Sequence, residues 1–142
     1  MNRMMRLVET TSTAWTPRRR GVLSMELVLT LPILAVVLLG LFEFTWLFYS
    51  RSLVVEASRV GARKASLPGV SLDDVERDVR RTLPQGLQRE MRVVGDVGQY
   101  SGDVVWVGVE VSMRSAAPDL LWPIGVGLNG RNLYSETRMV RE

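Results

Sequence analysis

The sequence contains no cysteine and no histidine. Disulfides, thiol chemistry, zinc sites built on those ligands and histidine-based triads are therefore excluded. The polar residues left for catalysis are carboxylates, serines and lysine, and none falls into a recognisable constellation. No internal repeat, no glycine loop suited to cradling phosphate and no glycosylation acceptor interrupts the chain. The densest acidic cluster, Asp73, Asp74, Glu76 and Asp78, alternates with Arg77, Arg80 and Arg81 in a predicted helix, the pattern of a solvated, ion-paired face. The expectation is a protein with no catalytic residues, no cofactor, no metal and no small-molecule substrate.

Charge is unevenly placed. The part before Ser66 has nine Lys or Arg against four acids, whereas Ser66 to Glu142 has nine against eleven. Five arginines, at positions 3, 6, 18, 19 and 20, stand directly ahead of an apolar run. A basic leader in that position points to a membrane signal and away from nucleic acid.

The run itself extends from Val22 to Phe42, with only Ser24, Glu26 and Thr30 polar. Its roughly 21 residues give ~31 Å of helix, enough for one crossing of a bilayer core. Pro32 is placed to kink it, and Gly40 offers room for a neighbouring helix. Phe42, Phe44, Trp46, Phe48 and Tyr49 crowd the far end as an aromatic belt would. A cleavable secretory signal ending at Val55-Glu56-Ala57 fits poorly, because the core is too long and Arg51 intervenes. Basic residues flank both ends, but three arginines abut the first and one the second, which favours a cytoplasmic N-terminus.

Two carboxylates, Glu26 and Glu43, stand within or beside this run. A lone charge in hydrocarbon is costly unless paired. Near the membrane edge Glu26 could instead snorkel or protonate. Glu43 lies 17 residues, ~25 Å of helix, further on. It reads either as an interfacial acid among aromatic anchors or as a pairing point for another membrane helix or for Arg51 of a neighbour.

A basic leader ending in Gly21, followed by an apolar segment with Glu26 as its fifth residue, resembles the class III signal of type IV pilin-like proteins. Gly40-Leu41-Phe42-Glu43-Phe44 and the run Ala57-Ser58-Arg59-Val60-Gly61-Ala62-Arg63 extend the match. Together with the RRG leader and Leu31-Pro32, they make the chain similar to the TadE-like pilus assembly family over about 45 residues. Leu27 departs from that pattern, in which the residue after the glutamate is typically aromatic. The resemblance implies a cut by a prepilin peptidase between Gly21 and Val22. It also implies an intramembrane pairing in which Glu26 neutralises the new Val22 amine of a neighbouring subunit. A chain beginning at Val22 would change in net charge from +3 to −1.

Past Tyr49 the helix is expected to continue as an amphipathic stem. Leu53, Val54, Ala57, Val60 and Gly61 share one stripe, and Arg51, Glu56, Arg59 and Arg63 take the other faces. Such a stem could lie on lipid head groups, pack on the rest of the chain or join a bundle of like helices. Leu67-Pro68-Gly69 ends it. Ser71 and Asp74 then open a short helix with apolar positions Leu72, Val75, Val79 and Leu83, closed by Pro84 and Gly86. Alternation over 103–114 predicts a strand with Val105, Val107, Val109, Val111 and Met113 on one face. Residues 91–97 and 133–140 are two further candidates, joined through a Gly98 to Gly102 turn and the Asn129-Gly130 turn signal. Before the last strand lies PDLLWPIGVGL, Pro118 to Leu128, an apolar linker that either covers the core or meets the membrane or another subunit.

The expected class is α+β: a basic cytoplasmic leader at 1–21, a transmembrane helix at 22–50, a stem at 51–67 and an extracytoplasmic head at 68–142 built of a small antiparallel sheet with one helix. The resemblance implies a non-enzymatic, pilin-like component of tight-adherence pilus assembly or secretion in the cytoplasmic (inner) membrane. Its partners would be membrane lipid, a prepilin peptidase and other pilus subunits. The rival reading is an uncleaved, signal-anchored envelope protein whose head is a scaffold or binding module.

Overall fold

The computed structural model describes residues 20–142, with side chains described from Ser24 onward. The expected leader lies almost wholly outside the described residues. The apolar run and the stem form one helix, α1 (Arg20–Ala65). Among the described residues it is the one helix long and apolar enough to cross a membrane. Pro32 sits inside it without ending it. Two compact units divide between Leu34 and Ala35. In the first, every side chain from Ser24 to Leu34 is exposed.

The second unit, Ala35–Glu142, holds the rest of α1 and the head. After Ala65 the chain turns through Gly69, whose φ of 76° is a left-handed conformation that favours glycine. Helix α2 (Leu72–Thr82) starts on a capping box: the Ser71 hydroxyl accepts from the Asp74 amide, and the Asp74 carboxylate accepts from the Ser71 amide. Its predicted apolar positions Val75, Val79 and Leu83 are buried. The acidic and basic residues between them form surface ion pairs, Glu76 with Arg80 and Asp74 with Arg77. Pro84 and Gly86 do not simply close this helix. The chain makes a second short turn, α3 (Gln85–Gln88), which buries Leu87.

Three strands follow: β1 (Arg92–Asp96), β2 (Val104–Ser112) and β3 (Asn132–Val140). They form an antiparallel sheet in the order β1-β2-β3, with Val94 opposite Gly108 and Gly108 opposite Glu136. The turn between β1 and β2 is held by Asp103, whose Oδ2 accepts from the amides of Gln99 (3.0 Å) and Tyr100 (2.8 Å). The predicted alternation holds along β2, where Val105, Val107, Val109 and Val111 are fully buried. Met113 is half-buried against the same core, but the strand ends before it in a helical turn, α4 (Met113–Ala116), that carries the chain off the sheet.

The central valines of β2 join Val75, Val79, Leu83 and Leu87 in a core closed by the rear of α1. Of the three settings open to the stem, it packs on the head, burying Val54, Ala57, Ala62 and Ala65. Gly61 is a point of close approach. A Cβ there would stand 2.8 Å from Val79 Cγ2 and 2.9 Å from Val107 Cγ1, so only glycine lets α1 meet α2 and β2 together. Ser58, fully buried, hydrogen-bonds the hydroxyls of Ser135 (3.1 Å) and Thr137 (2.9 Å) on β3. The architecture is α+β, a long N-terminal apolar helix followed by a three-stranded antiparallel sheet with short helices.

Candidate functional site

The residues singled out by sequence fall in different settings. Gly21 and Val22 lie in the helical backbone at the start of α1, where side chains are not described. Glu26 is exposed within its first turns. Just after it, the Thr30 hydroxyl donates to the carbonyls of Glu26 (2.9 Å) and Leu27 (3.3 Å), as a polar residue in an apolar helix does to satisfy itself locally.

Glu43 is different: its residue exposure is 2%. Its Oε2 accepts from the backbone amides of Leu120 (2.8 Å) and Leu121 (3.0 Å), in the apolar linker between α4 and β3. Two amide donors suit a buried carboxylate, because bonds to a charged acceptor are stronger than neutral ones and a lone buried acid is costly. On the same face, Leu121 Cδ1 would stand 3.6 Å from a Cβ on Gly40, ordinary van der Waals contact. The space beside Gly40, suited by sequence to a neighbouring helix, is occupied by a side chain of the same chain. Two turns beyond Glu43, Ser50 is buried and its Oγ donates to the Ala116 carbonyl at 2.6 Å.

Gly40, Glu43 and Ser50 thus form a clasp that holds residues 116–121 along α1. Ser50 and the linker amides were not visible as functional residues in the sequence. A signal did exist. The spacing 40, 43, 47, 50, 54, 57, 61 continues the buried stripe of the stem by alternate steps of three and four, with Leu47 half-buried between the two polar members.

The linker divides in two at Leu121. Leu121 and Leu128 are buried, while Trp122, Pro123, Ile124, Gly125 and Val126 are exposed around a short 3₁₀ turn, Trp122–Ile124. Aromatic residues of α1 lie at the same level as the clasp. Phe42 and Trp46 approach to 6.1 Å between ring centroids and Trp46 and Tyr49 to 6.4 Å, all three exposed. Among the described residues no group of histidine, cysteine or acids is placed to hold a metal ion.

Residues 21–63 match the family model of TadE-like proteins. No curated protein and no solved structure matches the chain significantly. The matched segment takes in the exposed apolar part of α1, the Gly40–Glu43 step of the clasp and most of the small-residue seam around Gly61. The match and the one long apolar helix among the described residues fit a membrane-anchored, pilus-related protein. By the residues that carry the resemblance and by the family model alike, the chain bears a TadE-like segment at 21–63.

Proposed function

We propose that the protein is a non-enzymatic, pilin-like component of tight-adherence pilus assembly. It is held in the cytoplasmic membrane by the apolar part of α1, with its N-terminus in the cytoplasm and its head outside. The observation that carries this reading is the coincidence, within the TadE-like segment, of an exposed apolar helix face with a buried rear that organises the head. A helix apolar on every side suits lipid or other apolar helices. The buried rear ties that helix to its own head. A cut after Ala57, as in a secretory signal, would remove Gly40, Glu43, Ser50 and Val54 from the clasp and core.

In this reading a prepilin peptidase cuts between Gly21 and Val22. Glycine before the bond leaves the backbone free to enter a protease site extended. The freed Val22 amine then pairs with Glu26 of a neighbouring subunit as the helices bundle. Removing five arginines and Glu9 would take the net charge from +3 to −1 and clear the end of the helix for packing.

The test is the intact mass and N-terminus of the tagged protein recovered from membranes, with and without a prepilin peptidase of the tight-adherence type. The expected result is a start at Val22 that needs the peptidase and is lost in Gly21→Leu. An intact leader under both conditions would overturn the pilin-like route and leave a signal-anchored scaffold.

A further inference from the structure

We propose that the exposed tip of the linker, Trp122 to Val126, is a second membrane contact that seats the head in the lipid headgroup layer beside α1. The proposal rests on the single-pass anchoring of the chain by α1. Two marks on α1 fix the depth of the tip. Ala116 is held at the level of Ser50, and Leu120 and Leu121 are held at the level of Glu43, with Leu121 against Gly40. Seven residues of helix separate Ser50 from Glu43, ~10 Å of rise. Residues 116–121 therefore descend along α1 toward its apolar stretch, and the chain turns back only after reaching Gly40. That residue lies inside the apolar run that ends at Phe42.

The composition of the tip agrees with its level. No charged residue occurs between Leu120 and Asn129. Trp122 is 67% exposed, Ile124 55% and Val126 41%. Side chains of this size facing outward together mark a surface made for something other than water. Tryptophan beside aliphatic residues is the composition favoured at the headgroup boundary. The tip is also a formed structure. Its neck is closed by Val126 N donating to Leu121 O at 3.3 Å and by Leu128 N donating to Asp119 Oδ2 at 3.4 Å. Gly125, at φ 86°, reverses the chain and donates to Trp122 O.

Lipid is the occupant because the tip lies at the level of the aromatic residues of α1, which the proposed anchoring sets in the headgroup layer. Phe42, Phe44, Trp46, Phe48 and Tyr49 are all exposed on α1 around the same level. A loop pinned beside them enters the layer that they enter. The buried carboxylate of Glu43 is then the device that holds the loop down while the linker shields the acid from lipid.

The chain's lack of cysteine allows a direct test. Nitroxide labels are placed singly at Ile124→Cys, at Leu38→Cys on the exposed apolar part of α1 and at Tyr134→Cys on the outer face of the sheet. The full chain is reconstituted in phosphatidylethanolamine and phosphatidylglycerol vesicles. Collision with oxygen, which enters lipid, is compared with collision with a water-soluble nickel chelate. The expected result is an oxygen-to-nickel ratio several-fold higher at 124 than at 134, approaching that at 38. A lipid-like ratio at 38 with a water-like ratio at 124 would overturn the proposal and leave the anchor standing. A label at 124 shielded from both reagents would overturn it in favour of burial against a second copy. A water-like ratio at 38 would remove the anchor and the proposal together.

Discussion

From Leu27 to Leu39 every side chain of α1 is exposed, and from Glu43 to Ala65 a stripe spaced by three and four residues is buried, although one helix carries both. The front is mostly leucine, valine and isoleucine on all sides, with Thr30, Pro32 and Ala35 among them. The rear puts Ala57, Ser58, Gly61, Ala62 and Ala65 on its buried face. Bulk all round suits a helix surrounded by lipid or by other apolar helices, while small residues on one side let a helix backbone approach a sheet. Helix-forming tendency is shared, and side-chain volume separates the two regions.

The sharpest way to break this contrast is to add volume at the seam. Gly61→Leu forces atoms into space held by Val79 and Val107, and overpacking of this kind should cost about 3 kcal/mol or more. In a domain of this size that lowers Tm by roughly 10 °C or more. Gly40→Ala meets only Leu121 at ordinary contact distance and should stay within about 1 kcal/mol of the parent, aided by the better helix propensity of alanine. Leu38→Ala, on an exposed face, should leave the melting of the head unchanged. Melting of all three in one detergent, read by circular dichroism, checks the order. Equal losses at 40 and 61 would mean that the seam around Gly61 is no more tightly packed than the contact of Gly40 with Leu121.

Glu43 marks the border between the regions. Glu43→Leu leaves the amides of Leu120 and Leu121 buried without an acceptor and should cost about 2 kcal/mol or more, whereas Glu43→Gln keeps one oxygen acceptor and should cost about 1 kcal/mol. The loss should be local. Hydrogen exchange at Leu120 and Leu121 is expected to accelerate most in Glu43→Leu, with the β2 amides less affected. Protection at those two amides unchanged from the parent would show that the clasp does not depend on the carboxylate.

A smaller effect is expected at Ser58, the polar member of the seam. Ser58→Ala removes its bonds to Ser135 and Thr137 but keeps the small volume, and should cost about 1 kcal/mol. Urea unfolding checks it. A loss as large as that of Gly61→Leu would mean that hydrogen bonding to β3 holds α1 to the head as firmly as close approach to α2 and β2 does.

Most of the architecture was legible because it rests on local signals. The alternation in β2, the Ser71–Asp74 box and the stripe through Val54, Ala57 and Gly61 each announce themselves within a dozen residues. The clasp was not legible, because its partners are 66 to 78 residues apart and those in the linker are two backbone amides and a carbonyl, which have no letter in a sequence. Glu43 could be read as an acid in need of a partner, and its apolar surroundings turned attention to other helices. The donors lay in the apolar linker, whose leucines draw attention as side chains before they do as N–H groups.

The smallest effect concerns the head alone, where three surface carboxylates are held below their usual range. For Asp103 the causes are the amides of Tyr100 and Gln99; for Asp74, the hydroxyl and amide of Ser71; for Glu136, the Arg138 guanidinium and the Tyr134 hydroxyl. Each favours the ionised form in the fold. Its contribution is therefore complete above the unfolded value, near 3.8 for the aspartates and 4.5 for the glutamate, and is lost as pH falls through the lower folded value. All three groups face water, so screening keeps the loss small. Asp103→Asn retains an acceptor for the turn amides but cannot titrate. Its stability should fall less than the parent's between pH 6 and pH 3, measured as the difference in Tm. Parallel falls in the two proteins would show that the Gln99 and Tyr100 amides do not favour the ionised carboxylate in the folded head.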